Sequence, residues 1–126
     1  MIRNIRLLIC IGLLHSCTPD LKDYPGLKVR DVKKGTGASV GAWSTIKVHY
    51  EGRFENGEVF DKRTKKFSLR SPSLIDGWKV GLIGMKEGGT RNLVIPPKYA
   101  FGEKGNLRDI PPNTTVIFDI DLLKVE

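Results

Sequence analysis

Few side chains in this sequence could carry out bond-breaking chemistry. Beyond residue 17 the one histidine is His49. It falls on the outward face of an alternating stretch, away from any serine or cysteine it would have to activate. Metal ligation needs clustered His, Cys, Asp or Glu, and no such cluster is visible, so no metal and no cofactor are expected. No GxGxxG, P-loop or GxSxG pattern occurs. Gly88-Gly89 reads as a turn. Asp119 and Asp121 share a face, but alternation assigns it to solvent and not to a cleft where paired carboxylates would work. An apolar set remains: Tyr50, Phe60, Trp78, Phe101 and Phe118, from separate parts of the chain and each read as facing one side. Asp61, directly after Phe60, is the polar group tied to them. Such a set is either core or the wall of a pocket, and the residues alone leave both readings open.

The elements that must hold these residues follow from periodicity. GLKVRDVKKGTG (26–37) reads as a strand running into a Gly-rich turn. STIKVHYEGRF (44–54) alternates most clearly, with Ile46, Val48 and Tyr50 on one face and Lys47, His49 and Glu51 on the other. Asn56-Gly57 is the strongest turn signal. VFD (59–61) resumes a strand, a basic loop follows, and FSL (67–69) reads as a short edge strand. Ser71-Pro72-Ser73 marks the start of a helix over about 74–83. RNLVIPP (91–97) is a strand stopped by two prolines, and 98–112 is a long loop. TTVIFDIDLLKV (114–125) closes the sheet with Val116, Phe118, Ile120 and Leu122 on its inner face. The expected fold is α+β, an antiparallel sheet packed on one helix.

That helix is an odd one. IDGWKVGLIGM (75–85) puts Ile75, Trp78, Leu82 and Met85 on one face, yet it contains Gly77, Gly81 and Gly84. Each glycine inside a helix costs about 1 kcal/mol relative to alanine. Close approach is the expected return: Gly77 toward a ligand ring, Gly81 and Gly84 toward the sheet.

Bulk composition narrows the function classes. With 40% hydrophobic and 28% charged residues the chain is ordinary globular material and not a disordered one. The formal charge is +7. The densest basic run, DKRTKKFSLR (61–70), lacks the interleaved aromatics of a nucleic-acid surface and reads as a solvated loop, so no nucleic-acid partner is expected.

VHYEGRFENGEVFD (48–61), LIDGWKVGLIGMKEGGTRNLVIPPKYAFG (74–102) and IPPNTTVIFDIDLLKVE (110–126) together resemble the FKBP family of peptidyl-prolyl cis–trans isomerases. The resemblance covers 26–126. It implies a curved sheet of five or six antiparallel strands wrapped around one short helix, with an apolar pocket between them. By the same resemblance Trp78 is the pocket floor, Tyr50, Phe60 and Phe118 are its walls, and Phe67 is a further aromatic. Leu74 and Ile75 form one rim, where the Ile75 N–H receives a substrate carbonyl. Asp61 lies at the pocket edge, near the carbonyl that loses its conjugation, where it either meets the twisted carbonyl carbon or only orients its neighbours; Phe101 and Ile110 overhang the site, and Asp61, Trp78 and Phe101 are the catalytic set the resemblance implies. Many relatives carry a tyrosine where this chain has Phe101, and Asn106 stands where some have histidine. Weakened macrolide inhibitor binding and reduced catalysis are therefore expected. The span from Phe60 to Trp78 is short for the family, which leaves Arg63 as the candidate ion-pair partner of Asp61. Trp43 has no family role. The substrates implied are proline-containing polypeptides. Two other readings stand beside catalysis, a proline-peptide-binding chaperone module with little turnover and a purely structural aromatic core.

The first residues are a separate segment. MIRNIRLLICIGLLHSC opens with Arg3 and Arg6, followed by an apolar run too short to span a bilayer. Leu14-His15-Ser16-Cys17 resembles a bacterial lipobox. The expectation is a lipoprotein signal peptide over 1–16, a lipidated Cys17, and a polar tether over 17–25; an ordinary cleaved signal is the alternative. Thr18 in place of an aspartate favours the outer membrane. The expected location is thus the bacterial cell envelope, lipid-anchored, with a monomeric domain facing the periplasm or the cell surface.

Overall fold

The computed structural model describes residues 20–106 and 108–126. The signal segment, Cys17 and the first residues of the expected tether lie outside the described residues. Five strands form one antiparallel sheet: β1 Lys28–Lys33, β2 Thr45–Phe54, β3 Val59–Ser68, β4 Thr90–Ile95 and β5 Val116–Val125, in spatial order β1-β4-β5-β2-β3. One helix, α1 Asp76–Gly81, packs on the inner face of the sheet. This is the α+β architecture expected.

The inner face is built from alternation. Ile46, Val48, Ile120, Leu93 and Ile95 are all 0% exposed. The outer face is polar. Asp119 and Asp121 lie there as expected, but neither is free. Arg53 and Asn92 donate to Asp119, the latter at 2.8 Å, and the Thr90 hydroxyl donates to Asp121 at 2.6 Å.

Two expectations need correcting. Residues 61–70 are not a loop between short strands. β3 is continuous and pairs with β2 from Thr45↔Ser68 to Arg53↔Val59. Its charges alternate, with Asp61, Arg63, Lys65 and Phe67 inward and Lys62, Thr64 and Lys66 outward. An edge strand tolerates such a pattern, because charges there discourage pairing with another chain. The helix is also shorter than 74–83, and Ser71-Pro72-Ser73 does not cap it. Ile75 is the extended residue before the helix and makes no side-chain cap bond. Ser71 and Ser73 instead bond each other at 2.9 Å. The chain turns out of the helix at Gly84, whose φ is +82°.

The glycines of α1 face the sheet. A Cβ on Gly77 would lie 2.5 Å from Ile95 Cγ2, and one on Gly81 2.8 Å from Leu93 Cδ2. Gly81 matches its expected role. Gly77 does not: it meets the core side chain Ile95, so its missing Cβ serves helix–sheet contact and not a ligand. Arg91 locks the far end of the helix. Its Nη1 donates to the carbonyls of Gly81 at 2.8 Å and Ile83 at 3.0 Å, while Nε donates to Asp31 at 2.7 Å. Carbonyls left open at a helix end are thereby satisfied by a cation that β4 supplies.

The stretch before β1 is folded onto the domain. Leu21–Asp23 form a single 3-10 turn, begun by Asp20, whose carboxylate accepts from Lys22 N–H at 2.9 Å. Tyr24 packs edge-on against Tyr99 with ring centroids 5.5 Å apart. Trp43 lies at the other end of the sheet, 75% exposed, with the Arg70 guanidinium 4.8 Å from its ring centroid.

Candidate functional site

Where α1 meets the inner faces of β2, β3 and β5, the packing leaves an open cavity of about 490 Å³. Its floor is aromatic. β2 supplies Tyr50, α1 supplies Trp78 and β5 supplies Phe118. Trp78 meets Tyr50 at 5.1 Å and Phe118 at 5.3 Å between centroids, both at 88°. Edge-to-face contacts of this kind match the positive edge of one ring to the negative face of another. The three floor rings are 5%, 2% and 4% exposed for Tyr50, Trp78 and Phe118. They are core and floor at once, so the two readings of the aromatic set converge. The half-buried ring is made by Phe60, Phe67, Leu74, Ile75 and Phe101, all of which line the cavity.

Local sequence explains the wall. Gly52 sits inside β2, where a Cβ would lie 2.7 Å from the Phe118 ring and 2.8 Å from that of Phe60. A side chain there would push both rings aside. Phe67 stands 4.9 Å from Trp78, placed by its inward position on β3. Phe101 comes from the loop after β4, which is folded on itself. The Asn106 carboxamide oxygen accepts from the N–H groups of Arg108, Asp109 and Ile110 at 2.9, 2.8 and 2.7 Å. Gly105 is required in that loop: its φ is +66° and a Cβ would meet the Ile110 carbonyl at 2.1 Å. Ile110 is 3% exposed and packs in the core. It is the one sequence-predicted pocket residue that does not line the cavity.

The polar side of the cavity is a three-residue chain. The Tyr50 hydroxyl donates to Asp61 Oδ2 at 2.6 Å, and Arg63 Nε donates to Asp61 Oδ1 at 2.8 Å. The Asp61–Arg63 pair expected from the sequence is therefore formed. Burial, then the hydrogen bond to Asp61 and its charge, push the Tyr50 phenol far above its ordinary range, against a smaller opposing effect of Arg63. Tyr50 is thus a neutral donor at any physiological pH. Among the described residues the Ile75 amide on the cavity rim makes no backbone hydrogen bond, and the buried Trp78 Nε1 has no acceptor.

Sequence reasoning missed Gly52, Lys65, Ser73, Arg108 and Asp109. An isolated glycine inside a strand is a signal for close approach, and it was there to be read at Gly52. Lys65 would have followed from treating 61–68 as a strand. Nothing local marks Ser73, Arg108 or Asp109.

Residues 37–123 match the sequence profile of the FKBP-type peptidyl-prolyl cis-trans isomerases. The chain is 43% identical over 106 residues to the 46 kDa FK506-binding nuclear protein of Spodoptera frugiperda, covering 80% of this chain and 26% of that one. Among solved structures, it resembles the peptidyl-prolyl cis-trans isomerase of Pseudomonas syringae pv. tomato, with a TM-score of 0.74 and 34% identity over 81% of this chain and 77% of that one. It also resembles FkpA of Escherichia coli, with a TM-score of 0.74 and 37% identity over 82% and 49%. The chain spans about a quarter of the length of the curated relatives it matches.

Proposed function

Because the chain belongs to the FKBP-type peptidyl-prolyl cis-trans isomerase family, we propose that it accelerates rotation about X–Pro bonds by binding the twisted amide in the aromatic cavity. The observation that carries this reading is the cavity itself: an apolar opening over Trp78 with an unpaired backbone N–H at Ile75 on its rim.

Rotation breaks no bond, so it needs no nucleophile. Rotating a peptide C–N bond crosses about 18–20 kcal/mol because amide resonance is lost. X–Pro bonds populate both isomers and exchange over tens to hundreds of seconds. The twisted amide is less charge-separated than either planar form, so an apolar cavity favours it. Binding that state better than the ground states is what lowers the barrier. Trp78, with Tyr50, Phe60, Phe67 and Phe118, provides the surface for the proline ring. The Ile75 N–H fixes the carbonyl beyond the proline, beside Leu74. Both Asp61 oxygens already accept hydrogen bonds, which supports a positioning role: it holds Tyr50 and Arg63 in the wall and sets the local field. Phe101 covers the site without a hydroxyl, and Ile110 supports the loop from below.

Acceleration of a proline-limited refolding reaction tests the proposal. No acceleration at micromolar protein with the fold intact overturns it. Peptide binding without turnover would instead mark a chaperone module.

We also propose that the protein works in the bacterial envelope, tied by lipidated Cys17 to a membrane, the outer one preferred. Its substrates there would be unfolded or partly folded envelope proteins, and macrolides would bind weakly. The charged and apolar opening of residues 1–17 supports this. Mass spectrometry of the mature N-terminus checks it, and an unmodified Cys17 would overturn it.

A further inference from the structure

The charges on β3 are handled differently on its two faces. Outward-facing Lys62 and Lys66 reach carboxylates, Glu51 at 3.7 Å and Glu126 at 2.8 Å. Inward-facing Arg63 is held by Asp61 at 2.8 Å. Inward-facing Lys65 has no acidic partner within ion-pair distance among the described residues, although it lines the cavity. Its ammonium sits over the Phe67 ring, 5.4 Å from the centroid. Arg108, from the loop after β4, lines the same cavity and has no acidic partner among the described residues, and a hydrogen bond to Asn106 fixes its backbone. Asp61 and Arg63 offset each other, which leaves two cations against Asp109 on the rim. The surrounding domain is positive as well: from Asp20 onward there are 19 Lys and Arg against 14 Asp and Glu, a charge of +5.

We propose that the cavity selects proline sites carrying an acidic residue within about three positions of the proline, and that Lys65, aided by Arg108 from the same cavity lining, reads that charge. The inference rests on the isomerase reading and names its substrate class. The reach follows from the ring geometry. Phe67 lies 4.9 Å from Trp78 and Lys65 Nζ lies 5.4 Å from Phe67. The ammonium is therefore no more than about 10 Å from the Trp78 ring, the span of roughly three extended residues. A proline seated on Trp78 brings a neighbouring carboxylate into contact with Lys65. The ammonium is already drawn over an aromatic face, so little side-chain freedom is lost on engagement. A rim charge of this kind acts through water and weakens with salt, because the screening length at physiological ionic strength is about 8 Å.

The test uses the purified full chain and short Ala-Pro peptides with Glu, Gln or Lys placed in turn at the three positions on either side of the proline. The expected result is a kcat/KM order of Glu above Gln above Lys on at least one side, with about threefold to tenfold between Glu and Gln at low salt, shrinking as salt rises. Lys65→Gln flattens the order and Lys65→Glu inverts it, each judged by the ratio of peptides within one variant. Equal kcat/KM for all three residues at every position, with the Gln peptides turned over normally, overturns the charge preference. If no peptide is turned over, the isomerase reading falls. Equilibrium binding of the Glu and Gln peptides then decides the preference: tighter Glu binding sustains it, equal binding overturns it.

Discussion

Alanine at Gly77 is expected to destabilise this protein, against the usual rule for helices. In an unconstrained helix interior the change gains about 1 kcal/mol in propensity, and a buried methyl adds roughly 0.8 kcal/mol. Here the new Cβ would lie 2.5, 2.7 and 2.9 Å from Cγ2, Cδ1 and Cγ1 of Ile95. Carbon atoms prefer about 3.5–4.0 Å, so something must move by roughly 1 Å. Ile95 is 0% exposed, and its strand is paired on both sides, to β1 and β5. It is also β-branched and stiff at χ1. α1 therefore lifts from the sheet, at an overpacking cost near the upper end of about 1–3 kcal/mol. In the first turn of so short a helix little of the propensity gain is realised, and a net loss of about 2 kcal/mol is expected. At roughly 4–8 °C per kcal/mol, Tm falls by about 8–16 °C. Trp78 is the next residue, so the lift narrows the cavity and lowers kcat/KM. Gly81→Ala is the internal comparison. Its Cβ meets only the Cδ atoms of Leu93 closely, at 2.8 and 3.1 Å, and leucine branches one carbon farther from the backbone than isoleucine and is freer at χ1, so the cost is smaller and the net change is near zero. Urea unfolding and calorimetry measure both variants. A stabilisation of about 1 kcal/mol in Gly77→Ala would refute the close-contact argument.

Phe101→Tyr restores a hydroxyl over the cavity. A neutral hydrogen bond contributes about 0.5–1.5 kcal/mol, so macrolide affinity should rise roughly twofold to tenfold by calorimetric titration. Tyr50→Phe removes the 2.6 Å bond to Asp61 while keeping the ring; a loss of about 1.5 kcal/mol is expected by urea unfolding, with slower isomerisation because Asp61 loses one of its two restraints. Asp119→Asn tests the outer face. Burial pushes the Asp119 carboxyl up, but hydrogen bonds from Asn92 and Arg53 and the charges of Arg53 and Arg30 outweigh it and hold the group below its ordinary value. A depressed folded value means stabilisation that is present above the unfolded pKa, about 3.9, and is lost as pH falls through the folded one. The variant should be less stable at pH 7 by at most about 1 kcal/mol for so solvent-screened a pair, and the two stability curves should converge below pH 4. A constant gap down to low pH would count against the ion pair.

The sheet was readable because its inner face alternates without interruption: Ile46-Val48-Tyr50 and Phe118-Ile120-Leu122 carry their own register. The aromatic set could be assembled the same way, since burial and pocket floor require the same side chains. β3 was not readable. Its stretch 61–66 is wholly polar, and what holds it in the sheet is the hydrogen-bond ladder to β2, a non-local partner that leaves no mark in its own residues. The end of α1 was equally hidden, because Arg91, ten residues past Gly81, supplies the cap. The family resemblance puts Ile110 over the pocket, but it faces the core because the three hydrogen bonds to Asn106 turn the chain there. Arg108 and Asp109 reach the rim through the same local fold.

The edge-on contact of Tyr24 with Tyr99 has a mechanical consequence. Any tension on the chain ahead of Asp20 enters the domain through this contact and then through the paired residues of β1, from Lys28↔Val94 onward. A load along the axis of an edge strand shears all its hydrogen bonds together, whereas a sideways load opens them one by one. Tyr99 belongs to the Pro97–Tyr99 turn, two residues before Phe101. Force on the N-terminal side is therefore transmitted to the covering loop of the cavity before it reaches the rest of the sheet. Tethering the chain by its N-terminus in a force spectrometer, while following peptide binding, would read this coupling directly.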